Sequence, residues 1–140
     1  MKKTKPIYSL KARWLKMIKT KFVLMSHIIN KKTHYDIRFK VKKNKWASFA
    51  IIKGIPLEGK KSLAIRTKDH GRISALFTGK TKNGRITKID SGLCEILKYN
   101  KKHIVINFYG SQLKGIYHFV YVLGKEDQYL IFKGNYNETD

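Results

Sequence analysis

From Lys21 onward the chain is a succession of short segments rich in Val, Ile, Phe and Tyr, broken every few residues by Gly, Asn or Lys. Segments of that composition, bounded that way, read as β-strands. Ten are expected: Phe22–Ile28, His34–Val41, Trp46–Ile52, Ser62–Thr67, Ile73–Thr78, Arg85–Ile89, Leu93–Tyr99, His103–Tyr109, Gly115–Leu123 and Gln128–Lys133. No long window of helical period separates them, so the expected class is all-β: a compact antiparallel β-barrel of about eight to ten short strands. Asn83-Gly84 is a hairpin signal, because both turn positions favour φ > 0. Asp90-Ser91-Gly92 and Tyr109-Gly110 are expected turns as well. Alternation puts Ile104, Ile106 and Phe108 on one face and His103, Val105, Asn107 and Tyr109 on the other. Ile116–Val122 is apolar on both faces and reads as a central strand. The barrel domain is expected over residues 22–134. A basic arm or short amphipathic helix is expected over 1–21, where Leu10, Trp14, Met17 and Ile18 recur at near-helical spacing. A frayed tail is expected over 135–140.

The charge narrows the partner. Thirty-one Lys and Arg against nine Asp and Glu give a formal net charge of +22 in 140 residues. Such a chain suits a polyanion: nucleic acid, a membrane surface, or another. The longest purely apolar stretch is Phe119–Leu123, far short of the roughly 20 residues that span a bilayer. The N-terminal stretch has no apolar segment of secretory type, and it is Lys-rich where a transit peptide is Arg-rich. The single cysteine, Cys94, excludes an intramolecular disulfide and a Cys-rich zinc site, and fits a reducing cytoplasmic compartment. Cys94 is expected to be buried and inert.

With acids so scarce, each one in the body of the chain asks for a reason. Asp36 sits in His34-Tyr35-Asp36-Ile37-Arg38-Phe39. On a strand, period two puts His34, Asp36 and Arg38 in a row on one face, about 7 Å from each to the next, and sends Tyr35, Ile37 and Phe39 to the core. An imidazole and a carboxylate suit Mn²⁺, Zn²⁺ or Fe²⁺, and a guanidinium beside them offers a fork for phosphate. A cation plus a guanidinium can stabilise a phosphoryl transition state. His27, on the preceding strand, could supply a second imidazole if the two strands pair. His70, in Lys68-Asp69-His70-Gly71, is the remaining candidate, and Asp69 could orient it if a turn intervenes. A solvated strand face with an ordinary Asp–Arg pair is the plainer alternative. His103 and His118 lie in apolar strands and read as structural. Gly79 to Arg85 lacks the ending and the following helix of a phosphate loop.

These residues also carry a family pattern. Phe22-Val23-Leu24-Met25-Ser26-His27 followed by His34-Tyr35-Asp36-Ile37-Arg38 is similar to a Phe-Val-x-x-x-His stretch leading to His-Tyr-Asp-x-Arg. Ser48 to Gly54, Leu63-Ala64-Ile65 with Asp69-His70, Gly79 to Gly84, Asp90-Ser91-Gly92 and Gly110 to Tyr117 follow in the same order. On these motifs the chain resembles the 3′-phosphoesterase domain of bacterial DNA ligase D and its stand-alone archaeal relatives, over about Phe22 to Lys133. The resemblance implies a β-barrel holding one Mn²⁺. It implies resection of DNA 3′ ends in double-strand break repair by non-homologous end joining: removal of a 3′-terminal ribonucleoside to leave a 3′-phosphate, then removal of that phosphate. His27, His34 and Asp36 would be the metal ligands, Arg38 and His70 would hold the scissile phosphate, and Lys53 would add charge nearby. Implied partners are DNA 3′ ends, including primer–templates with 3′ ribonucleotides, and a DNA ligase or polymerase in trans. The expected protein is a monomer, cytoplasmic and nucleoid-associated.

Three departures from the pattern matter. The first two histidines are usually six apart in the family and are seven apart here; a bulge or longer turn within Ile28 to Thr33 could absorb one residue. The family's Tyr four residues after the Asp-His histidine is Ser74 here. Lys68 and Gly71 replace the acid and the proline that flank Asp-His. Phosphodiesterase chemistry is therefore favoured over phosphomonoesterase chemistry. Replacing His34 or Asp36 by Ala is expected to abolish metal binding and activity with the fold intact. Two other functions stand beside this one: a DNA-end-binding module of the same fold without hydrolysis, and a generic single-stranded nucleic-acid barrel with Tyr8, Trp14 and Trp46 as exposed stacking platforms.

Overall fold

The computed structural model describes residues 18–137. The expected helix or arm before residue 18, with Tyr8 and Trp14, lies outside the described residues, as do 138–140 of the expected tail. The strands are β1 (Ile18–Ile29), β2 (Lys32–Lys42), β3 (Lys45–Ile51), β4 (Lys61–His70), β5 (Gly79–Thr81), β6 (Gly84–Tyr99), β7 (His103–Tyr109), β8 (Lys114–Tyr121) and β9 (Gln128–Lys133), with one short helix, α1 (Arg72–Leu76). They pair in the order β1-β2-β3-β4-β9-β8-β7-β6, and β6 returns to β1. The result is a closed eight-stranded antiparallel barrel; β5 adds only to β6. Among the described residues closure leaves no long open edge, which suits strands this rich in β-branched and aromatic residues.

The barrel interior follows from alternation. Ile37 and Phe39 of β2, Phe49 and Ile51 of β3, Ile104, Ile106 and Phe108 of β7 and Phe119 of β8 are fully buried in one cluster. Phe49 packs on Phe119 at 4.7 Å between ring centroids and edge-on to Tyr129 at 5.1 Å. Each such ring contributes about 1.5–3 kcal/mol by leaving water. β8 lies between β7 and β9, as its two-sided apolar sequence required. His103 and His118 are structural: their rings share a 2.9 Å hydrogen bond, and His118 Nε2 donates to the Asn135 carbonyl at 3.0 Å. Cys94 is buried inside the barrel, where burial and neighbouring Glu95 push its thiol up to about 12.

Four local expectations are corrected. Ile73–Thr78 is not a strand; α1 takes residues 72–76, and a short apolar run cannot be told from a strand by period alone. What settles it is tertiary: Ala75 is buried, and the Ser74 and Ala75 carbonyls at the end of the helix accept from Arg38. Asp90-Ser91-Gly92 is no turn, because β6 runs unbroken from Gly84 to Tyr99 with a register shift opposite Leu24/Met25. The β5–β6 turn falls on Lys82 and Asn83, neither at positive φ. Gly84 is needed for a different reason: a Cβ there would overlap the Ile28 carbonyl. Finally, Trp46 is only 3% exposed and cannot serve as a stacking platform.

A second, smaller core lies outside the barrel wall. Val23, Met25, Trp46, Ile86 and Ala75 pack together, so α1 sits on the outer face of β1, β3 and β6, and Arg38 of β2 bonds to its carbonyls. This covered outer face positions the functional side chains.

Candidate active site

The β1–β2 hairpin closes with a two-residue turn, Asn30 and Lys31, both at positive φ (49° and 69°). That turn matches the strand twist and keeps β1 and β2 in uninterrupted register from Ile29↔Lys32 to Phe22↔Phe39. Seven residues of separation across such a turn make His27 and His34 direct cross-strand partners. No bulge absorbs the additional residue; the tight turn does. Directly opposed residues share a face, so His27 joins the row of His34, Asp36 and Arg38 on the outer wall.

Asp36 is the hub of that row and is only 4% exposed. Its Oδ1 lies 3.3 Å from His34 Nε2, and its Oδ2 lies 3.7 Å from His27 Nδ1 and 3.3 Å from Arg38 Nη2. One donor atom from each of His27, His34 and Asp36 falls within a set spanning 4.8 Å, a group that could hold a metal ion. Burial, with neighbouring His34 and Arg38, lowers the His27 pKa despite Asp36. The ring is therefore neutral near pH 7, the form that can ligate. Two imidazoles and one carboxylate are a donor set for Mn²⁺, Fe²⁺ or Zn²⁺, so the residues present fit a divalent transition metal.

Arg38 is nearly as buried as Asp36. Its Nη1 donates to the carbonyls of Ser74 (3.3 Å) and Ala75 (3.0 Å), and its Nη2 donates to Asp36. Three of the five guanidinium N–H groups are thus committed, and Nε is among those without a partner. Burial lowers its pKa and Asp36 opposes that, but a guanidinium stays charged at any ordinary pH. The guanidinium pins α1 and balances Asp36, and it offers phosphate less than a full fork.

His70 ends β4 opposite Trp46 of β3. Its Nδ1 shares a 2.8 Å hydrogen bond with Ser74 Oγ, the first side chain of α1 to reach back. Burial and the Arg38 charge lower its pKa. His27, Arg38, His70 and Ser74 line one groove of about 640 Å³, together with Asn44 and Arg72. Asn44 escaped the sequence reading. It adopts φ 56° in the β2–β3 turn, and its Oδ1 accepts from the Arg72 N–H at 2.8 Å, tying that turn to the start of α1. Its turn position was the available signal.

Two further expected residues stand apart from the groove. Asp69 faces away from His70, as neighbours on a strand do, and pairs with Lys45 (3.4 Å) and Arg66 (3.8 Å). Lys53 is exposed in the turn after β3 and lines a separate depression with Leu24, Tyr35 and Gln112. Among the described residues no helix is long and apolar enough to cross a membrane.

No curated protein matches the chain. The family model for the DNA ligase D 3′-phosphoesterase domain matches residues 26–121, a span that opens just before His27 and takes in His34, Asp36, Arg38, His70 and Ser74. On that match, over more than half its length, the chain belongs to the DNA ligase D 3′-phosphoesterase domain family.

Proposed function

We propose that the protein is a divalent-metal-dependent hydrolase of DNA 3′ ends, with Mn²⁺ its metal and a 3′-terminal ribonucleoside on a DNA strand its preferred leaving fragment. The observation that supports it most is the convergence of His27, His34 and Asp36 donor atoms within 4.8 Å, with His27 lining the same groove as Arg38 and His70. When bound, the ion supplies positive charge that polarises the phosphate and helps supply a hydroxide nucleophile. His27 and His34 would hold it through ring nitrogens, and the Asp36 carboxylate would bring the compensating negative charge. Arg38, fixed by three hydrogen bonds, keeps a rigid positive charge at the groove wall for the equatorial phosphate oxygens. His70, oriented by Ser74, either binds the same oxygens or donates a proton to the leaving oxygen. The diester bond to the terminal ribonucleoside breaks, water adds to phosphorus, and a 3′-phosphate remains on the DNA. Further loss of that phosphate is slow, because Ser74 places a short hydroxyl where the family has a phenol. In the cell the substrates are strand ends awaiting a DNA ligase or polymerase.

A primer–template labelled at the primer 5′ end and carrying one 3′ ribonucleotide tests this. With Mn²⁺ the primer should shorten by one nucleoside and keep a 3′-phosphate. Tight binding with an unchanged primer would overturn hydrolysis and leave a DNA-end-binding module.

A further inference from the structure

A second groove, of about 830 Å³, adjoins the first on the same outer wall; Asn44 and Arg72 line both. Its rim carries Lys21, Lys40, Lys43, Lys88 and Arg72 and no acid. None of these five side chains is in an ion pair among the described residues. The floor is apolar, with the exposed side chains of Leu76 and Leu93. The cations come from four elements that the fold brings together: Lys21 from β1, Lys40 from β2, Lys88 from β6 and Arg72 from α1, with Lys43 in the β2–β3 turn. Lys21, Lys43, Arg72 and Lys88 are exposed and Lys40 is half-buried, so their charges face solvent and are open to a polyanion. An apolar floor under a cationic rim fits a polynucleotide strand, whose phosphates meet the rim while sugars and bases meet the floor.

We infer that this groove is the track for the strand that ends at the His27/His34/Asp36 site, gripping its phosphates upstream of the processed end. The inference rests on the reading of that site as a DNA 3′-end hydrolase and assigns the path of its substrate. Lys21 lies six residues from His27 along β1, about 20 Å at strand rise. That length equals about six nucleotides at 3.4 Å each, so the track sets a minimum substrate length as well as an affinity.

The test is binding of a primer–template in EDTA, where no turnover occurs. The combined variant Lys21→Gln, Lys40→Gln, Lys88→Gln should weaken binding at least tenfold at 100 mM salt, and should reduce the slope of log K against log salt by about 2 to 3. Replacing the same three by Arg should restore both. Removing the same charge elsewhere, by Lys101→Gln, Lys102→Gln and Lys125→Gln in exposed loops, should change affinity less than twofold. Equal losses in the two glutamine variants would overturn the track in favour of net charge alone, and so would an unaffected groove variant. Because no metal is present, neither result depends on hydrolysis. A protein that binds through the groove yet leaves the primer intact with Mn²⁺ would overturn the hydrolase and keep the track.

Discussion

His27 and His34 face each other across the β1–β2 hairpin with ring centroids 4.8 Å apart, and the carboxylate of Asp36 lies within 4 Å of both. The pair exists because a two-residue turn follows β1. Inserting one glycine between Asn30 and Lys31 should force a bulge or a one-residue slip, and a slip turns His27 to the other face. We expect such a variant to stay folded and to lose at least tenfold in Mn²⁺ affinity by calorimetry. Undiminished Mn²⁺ binding would show that His27 is no ligand.

The turn also carries a correctable strain. Lys31 holds φ 69°, which costs a residue with a Cβ about 1–2 kcal/mol. Lys31→Gly removes that cost but adds about 0.5–1 kcal/mol of lost backbone freedom. A net gain of about 0.5–1 kcal/mol is expected, seen as a higher urea midpoint at unchanged m. A lower midpoint would contradict the turn assignment.

His34 and Asp36 were expected to be equally dispensable for folding, and the structure separates them. His34→Ala removes a half-buried ring and should change stability by less than about 1 kcal/mol while abolishing metal binding and turnover. Asp36→Ala strips the counter-charge from Arg38, which is 6% exposed. Leaving a buried charge unpaired costs about 3–5 kcal/mol. Thermal melts of the two variants, side by side, decide this; matching melting temperatures would contradict the role given to the Asp36–Arg38 pair.

Ser74 acts through His70. Ser74→Ala deletes the 2.8 Å hydrogen bond that orients the imidazole, worth about 0.5–1.5 kcal/mol. We expect kcat for 3′-ribonucleoside removal to fall up to about tenfold with KM little changed, and the pH dependence of kcat to move with the freed ring. Loss in KM alone would mean that Ser74 touches substrate instead of positioning His70.

Much of this was legible in the chain, and the gaps have physical causes. The period-two reading put His34, Asp36 and Arg38 on one face and Ile37 and Phe39 in the core because alternation on a strand is a local property. His27 was legible only conditionally, since its facing depends on the turn between Ile29 and Lys32. Helix α1 was missed because Ile73-Ser74-Ala75-Leu76-Phe77 is too short for a period to show. Its helical form is held by Arg38, thirty-odd residues away. The burial of Trp46 and the basic groove arise from elements distant in sequence that meet only in the folded barrel, so no window of sequence contains them.

Asp90 shows the same point for stability. Read as a turn residue, it is a buried carboxylate inside β6 that accepts backbone N–H groups of Ser91, Ser111, Gln112 and Leu113, the last at 2.7 Å. It fastens the β7–β8 loop to the barrel. Burial pushes its pKa up, but these four bonds outweigh that and hold it below the usual carboxylate range. The folded value is thus lower than the unfolded value of about 3.9. Asp90 therefore contributes its full stabilisation above pH 4 to 5, and the contribution drains as pH falls through the folded pKa. Asp90→Asn should cost about 2–3 kcal/mol at pH 7, because a charged acceptor bonds more strongly than an amide oxygen and one of its two acceptor atoms is lost. Denaturant titrations should show the gap between wild type and variant narrowing from pH 5 to pH 3. A gap that stays constant over that range would mean the carboxylate charge contributes nothing, and that the loop is held by shape alone.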